Sequence, residues 1–388
     1  MTQGTQGMQP KISFQDVTRR FGDGESGSDT GSSINVNGQA GAFTVDVGGG
    51  TLAASSFDFN DVMFGAGDSA NLPGAAGSAV FVSQTGGVIA AGTHGLNVST
   101  GGGLNTITVA AAEALADADQ TFVFVAHTAG GTIDVTGGGA DGFTLKDGQS
   151  LDGFDDGRVI AFGTTQPANV EGNLGATGGT VTQNTVIASN SNGGATSIVA
   201  TAAGAGNSTI RNTVFDGVGL GAGDAAISVN GAANAVTINN VEITNIGAGA
   251  TGVLLNNNAG GVALTDVDLT NQVAANAGTA LGIDAGGAST AAITVDAASD
   301  IDGTTGTVVS IGAGARNVTF NAAINAANNV DNVIDIASQS GGAIQFGAVT
   351  SANATGESVI EVTAHSAGTL TFGNVAITGF GNGGTDTA

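Results

Sequence analysis

The sequence predicts an all-β chain, a right-handed parallel β-helix of three-strand coils with a short N-terminal capping helix. Three observations predict it. Pairs of apolar residues recur every 25 to 28 residues through the second half of the chain. Each repeat holds three such pairs, which is the mark of a unit that buries its apolar face only by stacking on copies of itself. An Asn or Asp returns at one place in the repeat, where a tight bend requires it.

Composition limits the function classes. The chain has 388 residues, 68 of them glycine, and no cysteine, tryptophan or tyrosine. Lys and Arg number 7 against 32 Asp and Glu, a formal net charge of −25, yet only 10% of residues are charged and 41% are hydrophobic. Disordered acidic chains are poor in β-branched residues, whereas this one abounds in Val, Ile and Thr, so it reads as folded. Too few cations are present to neutralise a nucleic acid or to bind an anionic membrane surface. Calcium held by surface carboxylates is a compatible cofactor. Without cysteine there are no disulfides and no Cys-based zinc sites. No apolar run approaches ~18 residues, so no transmembrane segment is expected. Met1–Gly24 contains no secretory stretch, and the expectation is therefore a piece of a larger exported protein, extracellular or at a cell surface.

Along the chain, residues 1–40 read as a flexible polar arm and 41–104 as a β-rich N-terminal region, opening with the alternation Phe43, Val45, Val47. Residues 106–119 (TITVAAAEALADAD) are alanine-rich without Gly or Pro and predict the capping helix. The β-helix is expected over 105–380, most regular over 180–380, with a tail at 381–388.

The first strand series is Ile227/Val229, Val253/Leu255, Leu281/Ile283, Val309/Ile311, Ile334/Ile336 and Ile360/Val362. The second is Val236/Ile238, Val262/Leu264, Ile293/Val295, Val318/Phe320, Ile344/Phe346 and Leu370/Phe372. The third is Val241/Ile243, Val267/Leu269, Ile324, Val349 and Val375/Ile377. Between the second and third strands stand Asn184, Asn212, Asn240, Asp266 and Asn374. A left-handed backbone there suits Asn and Asp, and stacked amides can bond along the column, so these five are expected to form a structural ladder.

Thr121–Gly163, and above all the run Phe143-Thr-Leu-Lys-Asp-Gly-Gln-Ser-Leu-Asp-Gly, resembles the opening coils of bacterial β-helix repeat surface proteins. The resemblance implies a right-handed helix in large adhesins and autotransporter-like passengers, with 180–380 as a stalk. It carries no catalytic residue.

No catalytic or cofactor-binding residue is assigned. Asp335 and Glu361, outward in neighbouring coils, stand at about the ~5 Å carboxylate spacing of a retaining glycosidase. The same positions in earlier coils read as Ser228, Leu254, Gly282 and Ser310, which extend no acidic cleft. Glu242 and Asp268 stack likewise on the third strand. Stacked like charges are unfavourable unless solvated or bridged by a cation, so both pairs are calcium candidates. His94, His127 and His365 lack metal-ligand spacing.

The leading expectation is thus a non-enzymatic extracellular β-solenoid: an adhesin stalk, passenger or surface-layer component with a host, surface or glycan ligand and scope for end-to-end self-association. The alternative is a glycan-binding or glycan-degrading β-helix, such as a polysaccharide lyase, a hydrolase or a phage tailspike. A Thr column (Thr209, Thr237, Thr294, Thr319, Thr371) opens a minor ice-binding alternative. Irregular insertions at 152–179 and 296–306 are the expected ligand-binding segments.

Overall fold

Side chains of a strand point alternately to its two faces, so apolar pairs two residues apart build one buried face. In this chain the faces close on each other. The computed structural model describes residues 44–46, 69–71, 78–90, 97–98, 103–115, 120–125, 131–137, 140–153, 159–161, 180–182, 187–190, 194–270, 281–287, 289–301, 306–354 and 358–379. They form a parallel β-solenoid of about 8 turns.

The first wall is an 8-stranded parallel sheet that runs from Phe143–Leu145 through Ser197–Thr201, Ala225–Asn230, Thr251–Asn256, Leu281–Ala285, Val309–Ile311 and Ile334–Ala337 to Ile360–Thr363. The second wall belongs to a 14-stranded sheet. Its register follows the sequence reading: Val236↔Val262, Val262↔Ile293, Ile293↔Val318, Val318↔Ile344 and Ile344↔Leu370. The third wall is the latter half of the nine-residue strands Ser208–Asp216, Val236–Thr244 and Val262–Thr270, and later a separate sheet of Ile324–Ala327, Val349–Ala352 and Val375–Thr378.

The change in the third wall has a local cause. In the nine-residue strands a single residue with positive φ makes the bend: Asn212, Asn240 and Asp266 at 55°, 50° and 54°. In later coils two or three residues separate the strands, as at Asn321–Ala323 or Gly347–Ala348, and a wider corner needs no left-handed residue. The first corner follows the same economy, with Gly231, Asn257, Gly287 and Ser338 at φ values of 71°, 52°, 68° and 56°.

Inward residues of all three walls form one apolar column in which Ile227, Ile238 and Ile243 are each fully buried. The column starts upstream of the coils legible as repeats: Ser78–Ser83 pairs in parallel with Gln120–Phe124 in the second wall. At the last coil the column opens, and Val362, Val375 and Ile377 are exposed.

The helix is shorter than 106–119. It spans Val109–Glu113, and Gly103–Thr108 is a strand whose Ile107 and Thr108 pair with Val82 and Ser83. β-Branched Thr106, Ile107 and Thr108 favour that strand over a helix. The Thr108 hydroxyl then accepts the Ala111 N–H at 3.2 Å and caps the helix. Val109 and Ala112 are buried in the core. Lys146 Nζ donates to the carbonyls of Glu113 (3.1 Å) and Leu115 at the helix end, where a cation is favoured.

Candidate functional site

The outward face of the first wall gathers the carboxylates. Stacking pairs Ser228 with Leu254, Leu254 with Asp284, Asp284 with Ser310, Ser310 with Asp335 and Asp335 with Glu361. The column therefore passes through Asp284, not Gly282, and the acidic face is longer than the sequence suggested. Leu281 pairs with Thr251, so Ile283 sits over Val253 and Ala285 is the second inward residue. Leu281 had drawn the pattern two residues upstream because it is the more apolar of the two candidates.

Ser310 donates a hydrogen bond to Asp284. Burial pushes the Asp284 carboxyl above its ordinary value of 3.8, and nearby Asp335 adds to that, against the pull of Arg316 and Ser310. Asp335 is raised by burial and by the charges of Glu361 and Asp331. Asn332 donates to Glu361 Oε2.

Glu242 and Asp268 stand in register on the third wall, as the spacing predicted, and Asp300 continues the column through a bridge to Asp268. The Asp300 N–H donates to Asp268 Oδ1 at 3.0 Å. Burial raises Asp268, with smaller contributions from Asp266, Asp300 and Glu242. Among the described residues no three His, Cys, Asp or Glu side chains gather closely enough to hold one metal ion. Each acidic pair would have to fill most of a calcium shell with water or backbone oxygens.

These raised carboxyls imply a pH dependence of stability. A group whose folded pKa exceeds its unfolded value contributes stability below the unfolded value and loses it as pH rises through the folded one. The chain should therefore resist urea better near pH about 4 than near pH about 7. In Asp268→Asn/Asp284→Asn/Asp335→Asn that gain should shrink; an unchanged pH profile in the triple variant would remove these groups as its cause.

The ladder between the second and third walls is present over part of its expected length. Asn240 Nδ2 donates to Asn212 Oδ1 at 2.9 Å, and Asn212 Nδ2 donates to Asp152 Oδ1 at 2.8 Å. Asp152 is 2% exposed and also pairs with Arg211 Nη2 at 2.9 Å. Asp152↔Arg211 is the register, so Gly153 holds the place beneath Asn212 that the pattern gave to Asn184. Asn184 lies outside the described residues, and the strand before it, Thr180–Thr182, pairs antiparallel with Val159–Ala161 and Asn97–Val98 in a sheet apart from the coils. Asp266 keeps the positive φ. Asn374 is a correction: it is exposed, without positive φ, at a corner two residues wide. Asn240→Val should cost about 2 kcal/mol or more, combining a β-branched residue at positive φ with a lost amide bond. Asn240→Gly, which keeps the backbone, should cost less; equal losses in urea titrations would deny any role to the left-handed bend.

A second polar column escaped the sequence reading. Asn258, Ser289, Arg316 and Gln339 are buried inside the first corner. Asn258 Nδ2 donates to Val229 O and its Oδ1 accepts the Ala232 N–H, both at 2.9 Å. Ser289 Oγ donates to Asn258 O at 2.6 Å, and Gln339 Nε2 donates to Gly312 O. The available signal was positional: Asn258 and Gln339 directly follow the left-handed residues Asn257 and Ser338, as Ala232 follows Gly231. His365 follows Ala364 at this corner of the last coil, half-buried, and its Nδ1 has no partner. His94 and His127 lie outside the described residues.

The insertions divide. The first contributes the strand Val159–Ala161 to the antiparallel sheet above, and in the second Ile301 is buried and Asp300 joins the third wall. No helix is long and apolar enough to cross a membrane among the described residues. Compared with family models, curated proteins and solved structures, the chain has no match in any of the three.

Proposed function

We propose that the chain is a non-enzymatic spacer of an extracellular or cell-surface protein, holding or displaying an attachment surface, as in an adhesin stalk, passenger or surface layer. The observation that supports this is the single apolar column shared by about 8 coils. Each coil adds ~4.8 Å, so the stack extends roughly 40 Å without a hinge in its core. The outward second wall is mostly neutral, with Thr209, Thr237, Ala263, Thr294, Thr319, Gln345 and Thr371 in one register. That array also motivates the ice-binding alternative, which thermal hysteresis would reveal.

The second reading, a glycan-acting β-helix, gains from Asp284. Asp335 and Glu361 stand one coil apart, near retaining spacing, and Asp284 and Asp335 two coils apart, about 9.6 Å, at the upper edge of inverting spacing. A glycan array run beside a reducing-sugar assay on acidic polysaccharides separates the readings. The spacer reading expects surface or glycan retention with no sugar released. Release that disappears in Asp335→Asn/Glu361→Gln would replace it with the enzymatic one.

A further inference from the structure

Side-chain oxygens converge at the first corner where the coil of Thr251–Asn256 meets that of Leu281–Ala285. Asn256 Oδ1 is buried and has no hydrogen-bond partner. A β-carbon on Gly286 would stand 3.5 Å from Asp284 Oδ1 and 3.8 Å from Asn256 Oδ1. One on Gly287 would collide with both Asn256 Oδ1 and Asn257 Oδ1. Two consecutive glycines thus let these oxygens approach the corner backbone, and φ +68° also favours glycine at Gly287.

Asn256 Oδ1 is an acceptor without a donor, on the same side of Gly286 as Asp284 Oδ1, and a hard cation resolves such an arrangement. We propose that Asn256, Asn257 and Asp284 form a calcium site, with carboxamide and carboxylate oxygens as ligands. Calcium takes roughly six to eight oxygens in flexible geometry, so water completes the shell on the solvent side. Magnesium demands a tighter octahedron and gives up its water reluctantly, so it is the weaker ligand here.

Arg316 lies beneath the corner and shapes it. Its Nη2 donates to Gly286 O at 3.1 Å and to Gly287 O, which engages those two carbonyls. Its charge opposes a cation, and the outward column outweighs it, since Asp284, Asp331, Asp335 and Glu361 share this end of the first wall. The site is distinct from the pairs Glu242/Asp268 and Asp335/Glu361.

The test uses the full chain freed of metal with a chelator, titrated with calcium chloride by isothermal calorimetry and melted by circular dichroism. Tryptophan and tyrosine are absent, so intrinsic fluorescence cannot serve. A saturable heat and a calcium-dependent rise in Tm are expected, with magnesium at least 10-fold weaker. Affinity should fall at least 10-fold in Asp284→Asn and in Asn256→Ala, and should survive in Glu242→Gln/Asp268→Asn. Should Asp284→Asn fail to fold, Asn256→Ala decides the matter. No heat in the wild type overturns the site. Binding that survives both site variants overturns it too, as counter-ion condensation on an acidic chain; so does binding lost only with an acidic pair.

Discussion

Phe346→Ala should lower stability by about 3–5 kcal/mol, measured by urea unfolding followed by far-ultraviolet circular dichroism. Phe346 is 1% exposed and stands in the middle of an aromatic column in the second wall. Its ring centroid lies 5.6 Å from that of Phe320, tilted 37°, and 5.2 Å from that of Phe372, stacked at 7°. Removing the ring deletes contacts above, below and across the core. The coils on either side are held apart by their backbone ladders at ~4.8 Å, so the void has little room to collapse, and unrelaxed cavities are the costly ones. Phe346→Leu should cost much less. Phe372→Ala, half-buried in the last coil, should also cost less than Phe346→Ala. A loss below about 1 kcal/mol for Phe346→Ala would mean that the column is not close-packed.

Arg316→Ala should cost about 3–5 kcal/mol, the range for removing one partner of a buried charged network. The side chain is 0% exposed. Its guanidinium donates to four carbonyls, those of Ala285, Gly286, Gly287 and Ala313. These belong to two successive coils, so one planar group ties them together. Burial lowers the Arg316 pKa and the Asp284 charge opposes that. Gly314 makes room: any side chain there would press on Ser289 O and on the guanidinium. Lysine has the charge but not the planar fork, so Arg316→Lys should restore little of the loss. A lysine variant as stable as the wild type in urea would show that charge alone is required and that the fork is incidental.

Part of the site was readable from the residues and part was not. Glu242 and Asp268, and Asp335 and Glu361, were placed in register by counting, because both members lie in strands whose neighbours are all apolar at alternate positions. Asp284 was missed for a definite reason. A shift of two residues along a strand preserves which side chains face inward, so alternation alone cannot choose between Leu281/Ile283 and Ile283/Ala285. Only the partner strand chooses, and Thr251 takes Leu281. Asn184 lies outside the described residues, and the coil beneath Asn212 contains both Ser150–Asp152 and Ile187–Ser189, two segments far apart in sequence. Adjacency in sequence says nothing about which segments complete one coil.

From the sequence alone come the class of fold, the three walls, the inward residues of the second wall and the need for left-handed residues at the bend, since each follows from periodicity or from backbone sterics. Tertiary structure alone decided that Asp284 joins the face of Asp335 and Glu361, which polar groups enter the corners and how Arg316 is accommodated. Those outcomes depend on pairing between strands 25 or more residues apart, where hydrogen-bond register and space, not local pattern, select the neighbour.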